Sequence, residues 1–511
     1  MSIPKIVGLE QEYAIMVRQH RRIEPLLSPS QASLLLVGQA PEANHLLWDY
    51  GEEFPLRDAL QVDPTPPVTP PSDMENRLIN RLLPNGARLY VDHAHPEFST
   101  PECLTAAEVV TFDQVGEILL QQCCAQGNRQ LRGQEMALFK NNSDHQGNAY
   151  GCHENYLLEA QTYSQLFLGR GERELLPFLV SRQIYCGAGK VGVEEETGGV
   201  PVPYQISQRA DFFTTLYSVR TTSARPLINT RDEPHADRRR FRRLHLILGD
   251  ANMSAHATYL KVGTTQIVLR MLEDQAINRD LSLEDPVTAL KMISRDPSCR
   301  VTVRLRDGRR LRAVEIQEAY LEMAHRYFAA HPPSPEEADL LRRWTTVVEQ
   351  LKTDPMLLRR QIDWVIKWWL LEWQSKGKGI DPHSPRLRQL DIQYHNIDRQ
   401  KGLYHLLERE GQVDPFSPSP EALEPYLHTP PPQSRAYLRS QCLIRYGEQI
   451  ERMSWGGFWF RSAAGPCYCA LPDPRRGTQE ECAALLQQSP RLETLLDELG
   501  QEIASPKQAR R

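Results

Sequence analysis

The chain has 511 residues, of which 40% are hydrophobic and 24% charged, which is typical of a folded globular protein and excludes a chain disordered throughout. Its 60 basic and 65 acidic residues give a net charge of -5, so no global field draws it to nucleic acid or anionic membrane. The absence of a long apolar run and of a signal-peptide pattern predicts a cytoplasmic protein without membrane or nucleic-acid partners.

The first predicted elements carry a pair of acidic residues. Apolar runs at residues 3–8 and 13–17 predict a β segment, and Glu10 and Glu12 lie between the two runs. Because side chains alternate along a strand, both carboxylates are expected on one face. A helix is predicted next, from residue 29 to about residue 38.

A proline-rich stretch follows this helix. Residues 61–72 contain five prolines in twelve positions, which excludes a helix interior or a central strand and predicts a loop. An Asn-Gly turn then precedes an alternating strand that places Arg88, Tyr90 and Asp92 on one side, and Glu97 follows shortly after.

These oxygen-bearing side chains suggest a cation site. If the two acidic strands are adjacent, carboxylates, a phenol and a guanidinium converge on one cleft. Like charges gathered on one sheet face repel unless a cation is present, so the whole set favours a cation site over a solvated face. Magnesium that holds nucleotide phosphates needs only a few such carboxylates.

The rest of the chain mixes helices and strands without regular alternation, which predicts an α+β fold around a largely antiparallel sheet. Helical spacing is predicted at 105–125, 155–185, 315–331, 335–353, 355–375 and 398–411. Short strands are predicted at 136–140, 227–229 and 244–248. A proline-rich break at 414–432 predicts a boundary between a large domain, 1–432, and a small C-terminal domain, 433–511.

Several polar stretches flanked by apolar runs are expected where a core sheet presents groups into a cleft. They contain His153, Arg209, Arg231 and His245. Arginine suits phosphate oxygens through its bidentate fork, and neutral imidazole suits a metal. Taken alone, each histidine is more typical of a hydrogen-bonded core residue than of a ligand.

Six motifs together resemble one known family, the Pup ligase and depupylase family of the carboxylate-amine ligases. They are Gly8-Leu9-Glu10-Gln11-Glu12-Tyr13, the run from Asn85 to Glu97, Lys140-Asn141-Asn142, Cys152-His153-Glu154-Asn155, the run from Asn229 to Asp237, and Gly249-Asp250-Ala251-Asn252. The resemblance extends from residue 3 to about residue 460. It implies a glutamine synthetase-like large domain with a mainly antiparallel sheet and flanking helices, plus a small C-terminal domain.

The resemblance also implies roles for individual residues. The implied magnesium ligands and their close neighbours are Glu10, Glu12, Tyr90, Glu97 and His153. The implied nucleotide-binding residues are Arg88, Thr100 and Trp455, and the implied phosphate-side groups are Arg209, Arg231 and His245. Asp92 is implied as the catalytic carboxylate, and the implied cofactors are ATP, or ADP plus phosphate, with Mg²⁺.

Two segments favour the depupylase branch of this family. Trp48-Asp49-Tyr50 and Pro55-Leu56-Arg57-Asp58 resemble the start of an extra loop that the ligase branch lacks, which predicts a regulatory loop at about 48–74. The spacing from Val91 to Glu97, one residue shorter than in the ligase, agrees with this assignment.

The depupylase branch implies hydrolysis of the isopeptide bond between the C-terminal glutamate of Pup and a substrate lysine. It also implies deamidation of a C-terminal glutamine of Pup. The implied partners are Pup and pupylated proteins, within the bacterial proteasome pathway. The alternative is a Pup-protein ligase of the same family, which would use the same cleft to attach Pup.

Overall fold

The computed structural model describes residues 2–20, 25–41, 46–61, 69–194, 201–416, 418–462, 465–500 and 503–504. The strands of this described part are β1 (Val7–Glu12), β2 (Ala14–Gln19), β3 (Leu47–Trp48), β4 (Asn80–Leu82), β5 (Arg88–Asp92), β6 (His95–Ser99), β7 (Gln134–Phe139), β8 (Cys152–Glu159), β9 (Lys190–Val191), β10 (Tyr204–Gln205), β11 (Phe213–Ser218), β12 (Arg225–Asn229), β13 (Phe241–Leu246), β14 (Thr302–Arg304), β15 (Arg310–Arg312), β16 (Ile450–Met453), β17 (Gly457–Ser462), β18 (Gly465–Ala470) and β19 (Ile503–Ala504).

The α-helices in the same described ranges are α1 (Pro29–Val37), α2 (Asp73–Ile79), α3 (Ala106–Gln130), α4 (Ala160–Gln165), α5 (Leu176–Ser181), α6 (Gln183–Cys186), α7 (Ala255–Glu273), α8 (Pro286–Ser294), α9 (Ala313–Ala330), α10 (Pro335–Thr353), α11 (Asp363–Gln374), α12 (Pro385–Tyr394), α13 (Leu403–Arg409), α14 (Arg435–Tyr446), α15 (Gln479–Gln488) and α16 (Leu492–Glu498). Leu166–Leu175 is a π-helical segment, and short 3-10 turns cover Tyr50–Glu52, Ala210–Phe212, Pro355–Leu358, Pro420–Leu427 and Gly447–Gln449. None of the described helices is long and apolar enough to cross a membrane.

The predicted α+β class is confirmed, and local signals explain where elements begin. Helix α1 begins at Pro29 because proline is tolerated in a first turn, and Ser28 and Gln31 form a capping box there. The helix predicted over 155–185 is wrong at its start, because β8 continues to Glu159. That strand is buried on both faces at its end, so its consecutive apolar residues lack the alternation that distinguishes a strand.

One compact unit comprises the described residues of Met1–Lys5, Leu138–Thr230 and Leu244–Ser417. Its strands β11, β12, β13 and β8 are neighbours in that order. Strands β11 and β12 are parallel, whereas β12 and β13 are antiparallel and pair Asn229 with His245. Trp344 of α10 and Trp364 of α11 are fully buried and belong to the core of this unit.

The second compact unit comprises the described residues of Ile6–Ala137, Arg231–Arg243 and Pro418–Arg511. Its strands β1, β6, β5 and β4 are neighbours in that order and are antiparallel. A second sheet has the strand order β19, β18, β17, β16, β3. The domain boundary that the sequence suggests at residue 432 stays a prediction.

Helix α3 covers one face of the antiparallel strands. Gly116 lies where a Cβ would be 2.6 Å from the ring of Phe98, so any larger residue would push the helix away from β6. Phe98 is buried beneath the helix. Since side chains alternate along β6, Glu97 and Ser99 point to the opposite face.

A buried ion cluster joins the segment after β6 to helix α14. Glu102 accepts hydrogen bonds from Arg435 Nε at 2.8 Å and from Arg439 Nη2 at 2.6 Å. Burial alone would raise the pKa of Glu102, but Arg439 and Arg435 outweigh it and lower that pKa to about 2. Arg439 also donates to the backbone oxygen of Gly86 at 3.0 Å, so the cluster fixes the turn before β5.

We expect Glu102→Gln to lower the free energy of unfolding at neutral pH by about 3 kcal/mol, the value of a pKa lowered by roughly two units. Because the folded pKa lies below the unfolded one, this stabilisation is complete above the unfolded pKa and is lost as pH falls toward about 2. Urea unfolding of both proteins between pH 7 and pH 3 measures the difference.

Glu451→Gln is the matched control, because its ion pair with Arg461 lies on the surface. Exposed pairs contribute at most about 1 kcal/mol, so this variant should unfold almost as the parent does. Equal effects of the two substitutions would show that the buried cluster contributes no special stability.

Candidate active site

Strand β6 brings the acidic residues of its two neighbours into one row. In the antiparallel register Glu97 is opposite Glu12 on β1 and opposite Tyr90 on β5. The next row on the same face contains Glu10, Ser99 and Arg88. Directly opposed residues on adjacent strands are about 5 Å apart, so the predicted convergence of these side chains is built by the register itself.

Three carboxylates of this unit form a cluster. Glu12, Asp92 and Glu97 each offer an oxygen, and these oxygens lie within 4.8 Å of one another. Burial raises the pKa of Glu97 well above its usual range, and the neighbouring carboxylates, first that of Asp92, raise it further. Tyr90 donates its hydroxyl hydrogen to Glu97. Its pKa is also raised, by burial and then by Glu97, so the phenol is neutral.

Asp92 is the open end of the carboxylate cluster. Its side chain is 46% exposed, whereas Glu97 is 3% exposed. Asp92 ends β5, and a two-residue turn of His93 and Ala94 leads into β6. His93 has a φ of 52°, in the left-handed region that such tight turns require, and its Nδ1 lies 3.0 Å from an Asp92 oxygen.

Arg88 is held rigidly between aromatic rings. Its guanidinium carbon lies 3.9 Å from the ring centre of Trp48 and 4.1 Å from that of Tyr90. Two of its nitrogens donate to Asn80 Oδ1, at 3.0 and 2.6 Å, and a third lies 3.3 Å from Glu53. A guanidinium fixed in this way offers a preorganised positive charge beside the carboxylate rows.

Trp455 extends this aromatic group. Its ring meets that of Trp48 edge-on with centres 5.3 Å apart, and the guanidinium of Arg439 lies 5.0 Å from its centre. Thr100, by contrast, forms hydrogen bonds with the backbone of β1. Its Oγ1 accepts the Leu9 N–H at 3.0 Å, and its own N–H donates to the Leu9 oxygen at 2.9 Å.

Arg231 lies beside the predicted loop at 48–74. Asp58 and Arg231 form an antiparallel β-bridge, and the Asp232 N–H donates to the Arg57 oxygen at 2.8 Å. The start of the predicted loop is therefore paired with the segment that carries Arg231. Residues 62–68, which contain three of the five prolines of the 61–72 stretch, lie outside the described residues.

Three predicted residues belong to the other unit. The rings of His153 and His245 meet edge-on with centres 5.1 Å apart, and His245 Nδ1 lies 2.8 Å from Asn155 Oδ1. Arg209 is 2% exposed and donates to the Tyr150 oxygen at 3.0 Å. Its backbone N–H is 3.2 Å from an oxygen of Asp250, which fixes the turn that presents it.

The donor set in the second unit fits a hard divalent cation. Glu12, Asp92 and Glu97 supply only carboxylate oxygens, which magnesium prefers, and they number as few as a nucleotide-bound magnesium needs. Burial raises the pKa of Glu97 most, and repulsion from the neighbouring carboxylates raises it further; a bound cation would relieve that repulsion. The structure thus places Asp92, predicted as the catalytic group, among the residues that could contact the metal.

The sequence profile described as "Pup-ligase protein" matches residues 5–458. The chain belongs to this family. The family predicted from the six motifs is thereby confirmed. Among relatives, the Depupylase of Acidothermus cellulolyticus is 40% identical over 94% of this chain and 96% of its own length. The Pup deamidase/depupylase of Mycolicibacterium smegmatis is 39% identical over 94% of this chain and 97% of its own.

Ligases of the family are similar as well. The Pup–protein ligase of Acidimicrobium ferrooxidans is 44% identical over 74% of this chain and 82% of its own length. The Pup ligase PafA in complex with Pup superposes with a TM-score of 0.78 at 28% identity, covering 97% of this chain and 94% of that chain. PafA in complex with ADP gives a TM-score of 0.71 at 30% identity, covering 84% of this chain and 97% of that chain.

The sequence motifs did not identify some residues that contact the predicted site residues. Asn80 and Glu53 hold Arg88, but a hydrogen bond between distant segments leaves no spacing in the sequence. Arg243 contacts Glu10 and was also missed. A signal for it existed, because Arg243 precedes the predicted residue His245 by two positions on β13 and so shares its strand face.

Proposed function

We propose that this member of the Pup-ligase family is a depupylase and Pup deamidase with a magnesium-bound nucleotide as its cofactor. It would hydrolyse the isopeptide bond between Pup and a substrate lysine and the side-chain amide of a C-terminal glutamine of Pup. Relatives named for these activities cover nearly all of this chain, which supports the proposal. The single structural observation that carries it is the half-exposed carboxylate of Asp92, which lies in one cluster with Glu12 and the buried Glu97.

The carboxylate cluster would hold the metal. In this proposal Glu12 and Glu97 bind magnesium together with Glu10 of the adjoining row, and Tyr90 donates a hydrogen bond to Glu97. When bound, magnesium would act as a Lewis acid and hold nucleotide phosphates. Arg88 and Trp455 would contact the nucleotide, as the ADP complex of PafA supports. The predicted roles of Thr100, Arg231, His153, Arg209 and His245 stay predictions.

Two roles for Asp92 satisfy the same geometry. In one role the carboxylate attacks the amide carbonyl carbon, the C–N bond breaks, the amine leaves with a proton from solvent, and water then hydrolyses the resulting anhydride. In the other role the carboxylate accepts a proton from the water that attacks the carbonyl carbon. Both roles require the charged carboxylate in reach of substrate, and the exposure of Asp92 provides that reach. The Nδ1 of His93, 3.0 Å away, orients one oxygen of the carboxylate.

A Pup-protein ligase is the second candidate, and the 44% identity with the Acidimicrobium ferrooxidans ligase favours it. A ligase would admit a lysine amine to an activated glutamate, whereas a hydrolase admits water. The segment from Trp48 to Asp58, which resembles the start of the depupylase loop, favours hydrolysis. We therefore place this chain in the depupylase branch, acting in the bacterial proteasome pathway.

The test is to incubate purified protein, ATP and magnesium with a preformed Pup conjugate and to measure product masses. We expect free substrate and Pup ending in glutamate. Separate incubation with Pup ending in glutamine should release ammonia. Attachment of glutamate-ended Pup to free substrate, with consumption of ATP and no cleavage of the conjugate, would instead identify the ligase.

A further inference from the structure

Arg243 joins two carboxylates that are distant in sequence. Its Nη1 lies 3.4 Å from Glu10 Oε1, and its Nη2 lies 3.1 Å from Glu233 Oε2. Its Nε donates to the Glu233 backbone oxygen at 2.8 Å. The Arg243 side chain is 12% exposed, so these contacts are screened little by solvent. The guanidinium is thus fixed on one side by Glu233 and faces Glu10 on the other.

Glu233 is itself tied to the start of the predicted loop. The Phe54 N–H donates to Glu233 Oε1, while Oε2 of the same carboxylate faces Arg243. The same two segments are also joined by the Asp58–Arg231 β-bridge and by the hydrogen bond from the Asp232 N–H to the Arg57 oxygen. A displacement of Phe54 would therefore remove one of the interactions that orient the Glu233 carboxylate.

We propose that Arg243 and Glu233 are positioning residues that orient the Glu10 carboxylate for a divalent cation, and that they couple residues 54–58 to that carboxylate. The inference rests on the proposed function, in which Glu10 belongs to the magnesium site. Partners of a metal ligand fix its rotamer, and their loss commonly weakens metal affinity by about ten-fold or more. Arginine suits this role because its planar fork can engage both carboxylates at once.

The test measures the magnesium dependence of fluorescent-nucleotide binding, which requires no turnover. We expect Arg243→Ala to raise the magnesium concentration needed for half-maximal binding by about ten-fold. Arg243→Lys, which keeps the charge but loses the fork, should recover part of the loss. Arg242→Ala is the matched control, because Arg242 immediately precedes Arg243 in β13, points to the opposite face and pairs with Asp232.

The coupling to residues 54–58 is tested at one hydrogen bond. Phe54→Pro removes the N–H that donates to Glu233, whereas Phe54→Ala keeps that N–H and removes only the ring. We expect the proline variant to weaken magnesium-dependent binding and the alanine variant to leave it nearly unchanged. Phe54→Pro combined with Glu233→Gln should be no worse than Glu233→Gln alone, because both act through one carboxylate. Thermal melting confirms that each variant is folded.

Two results would overturn the inference. One is an Arg243→Ala protein with parental magnesium dependence while Glu10→Ala shows a loss. The other is a Glu10→Ala protein with unchanged magnesium dependence. Failure of the proposed function is distinguishable, because it would appear as absent cleavage of a Pup conjugate while the binding measurements still respond to Arg243 and Glu10.

Discussion

Asp92→Asn should reduce cleavage of a Pup conjugate by roughly a hundredfold or more, the order of magnitude that general-base groups contribute. The amide keeps the size of the carboxylate but carries no charge, so it can neither attack a carbonyl nor accept a proton from water. The measurement is the single-turnover rate of conjugate cleavage with magnesium and nucleotide in excess.

Nucleotide affinity and the melting temperature of the same variant are its controls. Asp92 lies at the exposed end of the carboxylate cluster, and Glu12 and Glu97 remain in place to hold the cation. We therefore expect binding within a few-fold of the parent and no loss of stability. Near-parental cleavage by a folded Asp92→Asn protein would show that another group performs the chemistry.

Glu97→Gln should have opposite effects on cation binding and on metal-free stability. Glu97 is the buried central member of its row, opposite both Glu12 and Tyr90. Loss of its charge leaves magnesium with fewer anionic ligands, so magnesium-dependent nucleotide affinity should fall about ten-fold or more, with partial rescue by excess magnesium. The same change removes repulsion within the cluster, so the melting temperature without metal should rise.

Isothermal titration over a range of magnesium concentrations and thermal melting in a chelator measure the two effects. Ser99→Ala is the matched control, because Ser99 occupies the same face of β6 two positions later. It should change neither quantity appreciably. A Glu97→Gln protein that keeps parental affinity at every magnesium concentration would remove Glu97 from the proposed metal site.

The sequence predicted the acidic rows well because strand alternation is a local property. Glu10 and Glu12 share a face, as do Arg88, Tyr90 and Asp92, and the register of β6 then aligns them. The strand ending at Glu159 was assigned to a helix, because burial on both faces removes the alternation that reveals strands.

The parts of the site that the sequence did not predict depend on contacts between distant segments. Asn80 holds Arg88 through β4, whose three residues are too few to show a period. The contact of Phe54 with Glu233 spans 179 positions. Such pairings are selected by the packing of the whole unit, since burial of a charged group requires a partner wherever the fold provides one. No spacing rule could have revealed them.

The cluster of Glu102, Arg435 and Arg439 limits how this chain can be recombined with its relatives. A chimera that takes its residues after 432 from a relative replaces both arginines but keeps Glu102. If the grafted helix lacks either guanidinium, the Glu102 carboxylate, whose side chain is 14% exposed, loses one of its two cationic partners. The loss of a buried ion-pair partner lowers the free energy of unfolding by about 3–5 kcal/mol. Exchange experiments between depupylases and ligases should therefore transfer position 102 together with positions 435 and 439.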